Sequence, residues 1–130
     1  MIAPPILLYI DDTLADVELV RARLEEQGIG VDAAYTGKGG ITAYDPARHD
    51  AVAIDWNLPD MDGVEVAETL LVRHPHCPLA LVSGLFKEEQ LAAANTLGVN
   101  HCFEKDFGMN YIMRLCAFVY KYAGGFRRSG

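Results

Sequence analysis

The sequence predicts an α/β fold: a doubly wound, five-stranded parallel sheet with five helices on its two faces. Three observations lead there. Five short apolar runs alternate with five helix-like segments along the chain. The runs are continuously apolar rather than alternating, as expected of strands buried on both faces. Strand-then-helix repeats at this spacing favour parallel pairing with helices packed above and below.

The elements follow in order. Ile6–Ile10 is the first strand and stops at Asp11-Asp12. Thr13-Leu-Ala-Asp16 fits a capping box, with Asp in place of the stronger Glu. Leu14, Val17, Val20 and Leu24 then recur at helical spacing, and Gly28 closes the helix. Val31–Tyr35 is the second strand. Residues 38–48 form a weak helix, since Gly39 and Gly40 each cost about 1 kcal/mol relative to Ala. Ala51–Ile54 is the third strand, ending at Asp55. The loop Asn57–Gly63, whose Asp60 and Asp62 read as turn formers, leads to a helix over 64–74 that Pro75 stops. Leu79–Val82 is the fourth strand, ending at Ser83-Gly84. An Ala-rich helix, Lys87–Leu97, closes at Gly98. His101–Glu104 is the fifth strand, ending at Lys105, and residues 109–123 form the last helix. The domain therefore spans 1–123, with 124–130 as a short tail.

Composition removes several function classes. The 130 residues suit one domain with a real core. The net charge of −7 argues against direct binding to nucleic-acid phosphates or an anionic membrane surface. No stretch approaches the roughly 18 apolar residues of a membrane span, and the N-terminus lacks the basic start of a signal peptide. Cys77, Cys102 and Cys116 have no metal-ligand spacing and read as buried thiols of a reducing compartment. His49, His74, His76 and His101 also lack ligand spacing and are assigned to no metal.

The strand ends carry the chemistry. Ligands of such sheets bind at the carboxyl ends of the strands. Asp11, Asp12, Asp55, Ser83 and Lys105 lie at the ends of four different strands, which a parallel sheet gathers on one edge. Clustered carboxylates need a cation to offset their repulsion. Oxygen ligands without His or Cys select a hard ion, and Mg²⁺ is usual where phosphate is handled. Lys105 adds a positive charge, Ser83 a hydroxyl donor, and Gly84 room for a ligand. These are the parts that hold a phosphoryl group for transfer. Taken singly, each has a plain structural role: Asp11-Asp12 as the start of a helix, Ser83 as a turn residue, Lys105 as a solvated charge. The joint placement is what points to a site.

With these residues in place, the chain resembles the receiver domain of two-component response regulators from Ile6 to about Tyr122. The motifs are Asp11-Asp12, Asp55-Trp-Asn-Leu-Pro-Asp-Met-Asp-Gly63, Ser83-Gly84 and Lys105. Asp55-Trp56-Asn57 is similar to chemotaxis-type single-domain regulators. The resemblance implies a flavodoxin-like sheet of order 2-1-3-4-5. It implies that Asp55 accepts a phosphoryl group from a phosphohistidine on a histidine kinase or phosphotransfer protein. Asp12, Asp55 and the Asn57 carbonyl would bind Mg²⁺, with Asp11 acting mainly through water. Lys105 and Ser83 would hold phosphoryl oxygens and bias a surface of helix 4, strand 5 and helix 5. The protein would be a cytoplasmic switch with slow self-dephosphorylation rather than an enzyme. A haloacid-dehalogenase-type phosphatase fits poorly, because Asp11-Asp12-Thr13 has the wrong spacing. A receiver-like interaction module working without phosphorylation is the alternative.

Three positions depart from the family pattern. Asp106 follows the lysine where proline with a cis bond is usual, so the loop is either trans or strained, with a negative charge beside the site. Cys102 occupies the aromatic switch position, and strand alternation sends Phe103 to the opposite face. Leu85, two residues past Ser83, stands where it would hinder attacking water.

The last helix has two charges, Arg114 and Lys121, on one strip. Ile112, Leu115, Cys116 and Val119 serve the core. Met109, Met113, Ala117 and Tyr120 then form a second apolar stripe, predicted to dock a partner or a second copy of the chain. Alternatively, the tail covers the stripe through Phe126. No output domain follows in this sequence, which suits a stand-alone regulator, a phosphorelay shuttle or a receiver cut from a longer chain.

Overall fold

A computed structural model describes residues 3–106 and 108–123. Five strands form one parallel sheet in the order β2-β1-β3-β4-β5. The strands are β1 (Ile6–Ile10), β2 (Gly30–Ala34), β3 (Ala51–Asp55), β4 (Leu79–Ser83) and β5 (His101–Glu104). The helices are α1 (Leu14–Glu26), α2 (Gly37–Ala43), α3 (Gly63–Arg73), α4 (Glu88–Leu97) and α5 (Met109–Tyr122). The predicted fold class and strand order both hold.

Side-chain alternation divides the core in two. Leu7, Tyr9, Ala51, Ala53, Ala80 and Val82 face α1 and α5. Leu8, Ile10, Val52, Ile54, Leu79 and Leu81 face the α2, α3 and α4 side. The central strands carry alanine where α5 brings in Tyr111 and Phe118, so small residues meet large ones across the layer. Every residue of β3 and β4 is buried, which explains why those runs are apolar throughout.

Several boundaries move, each for a local reason. β2 begins one residue early, at Gly30, and its Ala34 carbonyl accepts the Asp11 amide. Tyr35 therefore lies outside the strand. α2 ends at Ala43 rather than near 48. Tyr44 leaves the helix, and Asp45, being followed by Pro46, disfavours the helical conformation. The expected capping box of α1 is absent: Thr13 makes no side-chain cap bond, and Asp16 turns elsewhere. The Asp11 carboxylate takes up the Thr13 amide at 2.9 Å instead. Gly28 does close α1, at φ +81°. Asp60 is more than a turn former. Its carboxylate accepts the Gly37 and Lys38 amides at 2.7 and 3.0 Å and so caps α2 from the β3–α3 loop.

Cys77 and Cys116 are buried as expected, whereas Cys102 is only half-buried. The tail and Phe126 lie outside the described residues, so the tail-covering alternative does too.

Candidate functional site

The carboxyl edge of the sheet brings the five predicted polar groups into one place. β1 delivers Asp11 and Asp12, β3 delivers Asp55, β4 delivers Ser83 and β5 delivers Lys105. Asp11 is fully buried, and Asp55, Ser83 and Lys105 are buried too, while Asp12 is exposed. Gly63 lets α3 start directly against the Asp55 backbone, because a side chain there would collide with the Asp55 carbonyl.

The Lys105 ammonium is the hub. It donates to Asp11 Oδ2 at 2.7 Å and to Asp16 Oδ2 at 3.2 Å, and lies 3.3 Å from Asp55 Oδ2. Burial alone would lower its pKa, but Asp11, Asp55 and Asp16 together raise it, so the lysine stays charged. Asp55 shows the opposite balance. Burial pushes its carboxyl up to about 6; Lys105 pulls it down in part, and the neighbouring Asp11 adds to the rise.

Asp16 was missed by sequence reasoning. Thr13-x-x-Asp16 resembles a helix cap, and that local pattern hid the long-range pairing with a lysine 89 residues away.

Oxygen atoms of Asp11, Asp12 and Asp55 lie within 4.8 Å of one another. Such a set is all oxygen, partly buried and open through Asp12. It fits a small hard divalent cation, the class that includes Mg²⁺. The Asn57 amide approaches Asp55 Oδ1 at 3.4 Å, so the Asn57 backbone borders the same carboxylate.

The Ser83 hydroxyl donates to the Leu85 carbonyl at 3.1 Å. Open space surrounds Gly84, as its predicted role requires. Leu85 itself is 71% exposed.

The departures now have places. The Lys105–Asp106 peptide is trans, since no described peptide bond is cis. The Asp106 carboxylate accepts the Gly108 and Tyr111 amides at 3.1 and 3.3 Å, so its charge is spent on the start of α5. Cys102 packs with the cluster on the α4 side, and Phe103 packs on the α5 side against Phe118 and His101. No aromatic ring therefore occupies the position that β5 offers to α4.

Trp56, next to Asp55, is buried and meets Phe86 edge-on at 6.2 Å.

On α5, Met109, Met113 and Tyr120 are 61%, 51% and 50% exposed, and Ala117 is exposed as well. The stripe is open among the described residues. The Tyr120 hydroxyl donates to the Gln27 carbonyl at 2.6 Å, which places this stripe on the side of α5 that borders α1. Tyr111 and Phe118 join the core face beside the four expected residues.

Comparison with known proteins decides the family. Residues 7–117 match the response regulator receiver domain. The chain belongs to that family. It is a two-component receiver, and family membership does not favour the unphosphorylated interaction module. TcrX of Mycobacterium tuberculosis is 30% identical over 117 residues, which cover 89% of this chain and 50% of TcrX. The aerobic respiration control sensor ArcB of Escherichia coli is 34% identical over 88 residues, 65% of this chain and 11% of ArcB. The receiver thus spans at most about half the length of these relatives. Among solved structures, the non-phosphorylated HemR receiver domain of Leptospira biflexa superposes with a TM-score of 0.81 at 24% identity. That match covers 88% of this chain and 94% of the HemR domain. Receivers are phosphoacceptor switches rather than enzymes as a class. No described helix of this one is long and apolar enough to cross a membrane.

Proposed function

We propose that Asp55 is the phosphoacceptor and that its donor is a phosphohistidine on a histidine kinase or phosphotransfer protein. The observation that carries this is the Lys105 ammonium held 3.3 Å from the Asp55 carboxylate, beside the Asp11–Asp12–Asp55 cluster. An Asp55 oxygen attacks phosphorus, the P–N bond of the donor breaks, and the imidazole leaves with its electron pair and takes up a proton. Asp11, Asp12, Asp55 and the Asn57 carbonyl would hold Mg²⁺. A bound Mg²⁺ supplies positive charge that offsets the carboxylates and the incoming phosphoryl oxygens.

This chain's own groups do the rest. Lys105 is poised to exchange a carboxylate partner for a phosphoryl oxygen. The Ser83 hydroxyl leaves the Leu85 carbonyl for a second phosphoryl oxygen and draws the loop after β4 inward. That movement biases the surface of α4, β5 and α5. With Cys102 in the aromatic position, the transmitted change lies in the loop and in α4 rather than in a rotating ring. Hydrolysis is slow because Leu85 flanks the approach of water; Leu85→Glu is expected to shorten the phosphorylated lifetime. The apolar stripe of α5 is the candidate contact for a partner or a second copy. The setting is cytoplasmic, with no direct contact to nucleic acid or membrane.

The test uses acetyl phosphate and Mg²⁺ on the wild type and on Asp55→Asn, read by intact mass. Addition of one phosphoryl group to the wild type alone supports the reading. Addition to both, or to neither, refutes it.

A further inference from the structure

The pole of the sheet opposite the acidic site holds a cavity of about 440 Å³. It is lined by the segments that lead into β3 and β4, and by Tyr122 at the end of α5. Its walls are the rings of Tyr44 and Tyr122 with Pro46, Pro75 and Pro78. A second cavity of about 360 Å³ adjoins it and shares Pro75, His76, Cys77, Pro78 and Tyr122. All four histidines of the chain line one or both.

The lining holds one guanidinium, Arg73, and one carboxylate, Asp50, with three imidazoles. Arg73, His74 and His76 bring nitrogen donors to this cavity. Their side chains make no hydrogen bond or ion pair among the described residues; His74 has only an edge-on contact with Tyr44 at 5.0 Å. The one carboxylate in the lining, Asp50, accepts the Ile6 amide at 2.8 Å. Burial pushes the Cys77 thiol up to about 11, so it stays neutral, and it shares a side-chain hydrogen bond with Tyr44. His49 is committed to Asp32 at 2.8 Å and to the Asp45 amide at 3.0 Å. No group of three metal-ligating side chains forms here among the described residues, so a metal is not what these donors share.

An apolar cavity of about 150 Å³ accommodates one benzene ring, and organic ligand sites start near 300 Å³. The volume here suits one or two rings plus a polar group. A free guanidinium prefers a planar, two-oxygen anion, which it grips with two parallel bonds. We propose that this cavity binds a planar aromatic carboxylate of one or two rings. The Arg73 guanidinium pairs with the carboxylate, the His74 and His76 rings donate beside it, and the aromatic rings lie among Tyr44, Tyr122 and the prolines.

The test titrates the ¹⁵N-labelled full chain with 2-naphthoate, using 2-naphthol as the neutral control. The expected result is saturable shifts of the Tyr44, His74 and Cys77 amides, with a Kd below about 1 mM. Naphthol binds more weakly. Arg73→Gln weakens 2-naphthoate binding about tenfold, and Arg73→Lys falls between. Arg73 is exposed, so the amide spectrum of each variant verifies an intact fold. Absence of saturation up to about 10 mM overturns the site. Shifts confined to Asp11, Asp55 and Lys105 overturn it as well. Equal binding of naphthol, or an unchanged Arg73→Gln, overturns the assignment of an anion to Arg73.

Discussion

The hydroxyls of Tyr9 and Tyr111 lie 2.6 Å apart, with both side chains buried, and join β1 to α5 across 102 residues. Burial raises both phenols far above their usual pKa, so each stays neutral and one donates to the other. The pair lies beneath the acidic site, close enough for Asp11 and Asp16 to act on both rings.

Removing one hydroxyl leaves the other buried without its partner. Tyr9→Phe and Tyr111→Phe should each cost about 1–2 kcal/mol in urea unfolding. The double variant should cost less than the sum, because two phenyl rings leave nothing unsatisfied. Strict additivity would show that the two hydroxyls do not depend on each other.

The raised carboxyl of Asp55 sets a pH dependence for the metal-free protein. Its folded pKa, about 6, lies above the ordinary carboxylate value of 3.8. Between these values the folded state binds more protons than the unfolded one, so stability falls as pH rises through the window. Asp55→Asn removes that cost. Without metal at pH 7 to 8, the variant should be more stable than the wild type by about 2 kcal/mol, and the gain should fade by about pH 4. Chemical denaturation across this range measures it. A constant difference at all pH values would place the effect elsewhere.

Divalent cation binding has its own reporter. Trp56 is the only tryptophan of the chain and neighbours Asp55. Its emission should shift on Mg²⁺ titration. Asp12 is exposed, so Asp12→Asn spares the fold while removing one carboxylate from the cluster. Its Kd for Mg²⁺ should rise about tenfold, equivalent to roughly 1.4 kcal/mol. An unchanged Kd would take Asp12 out of the ligand set.

Much of this site is legible in the sequence, for a physical reason. A strand buried on both faces leaves polar residues only at its ends, so Asp11, Asp55, Ser83 and Lys105 stand out as the places where apolar runs stop. The parallel order then gathers them. Asp16 could not be read in this way, since its local pattern imitates a cap and its real partner comes from β5. Tyr9 looked like any strand residue, because its hydroxyl bond depends on how α5 settles. The early end of α2 did have a signal in Asp45-Pro46, but the preceding glycines drew attention to weakness rather than to the stop. The cavity at the opposite pole joins two loops and a helix end, and no local pattern announces such a junction.

The open stripe on α5 gives the last prediction. A surface helix normally presents one apolar face, and α5 spends that face on the core through Tyr111, Leu115 and Val119. Met109 and Met113 are then more than half exposed beside it. Methionine adapts its shape to a partner surface, so these two positions suit a docking contact. Tyr120 already reaches across to Gln27, which fixes the stripe against α1 and keeps it apart from α4. A two-fold contact between copies would therefore bury α5 along its α1 border. Sedimentation of the wild type at high concentration should show a dimer, and Met113→Lys should return it to monomer by placing like charges face to face. Because Met113 is exposed, the substitution should leave the unfolding midpoint nearly unchanged. A monomeric wild type under those conditions would eliminate self-association and leave the stripe to a partner protein.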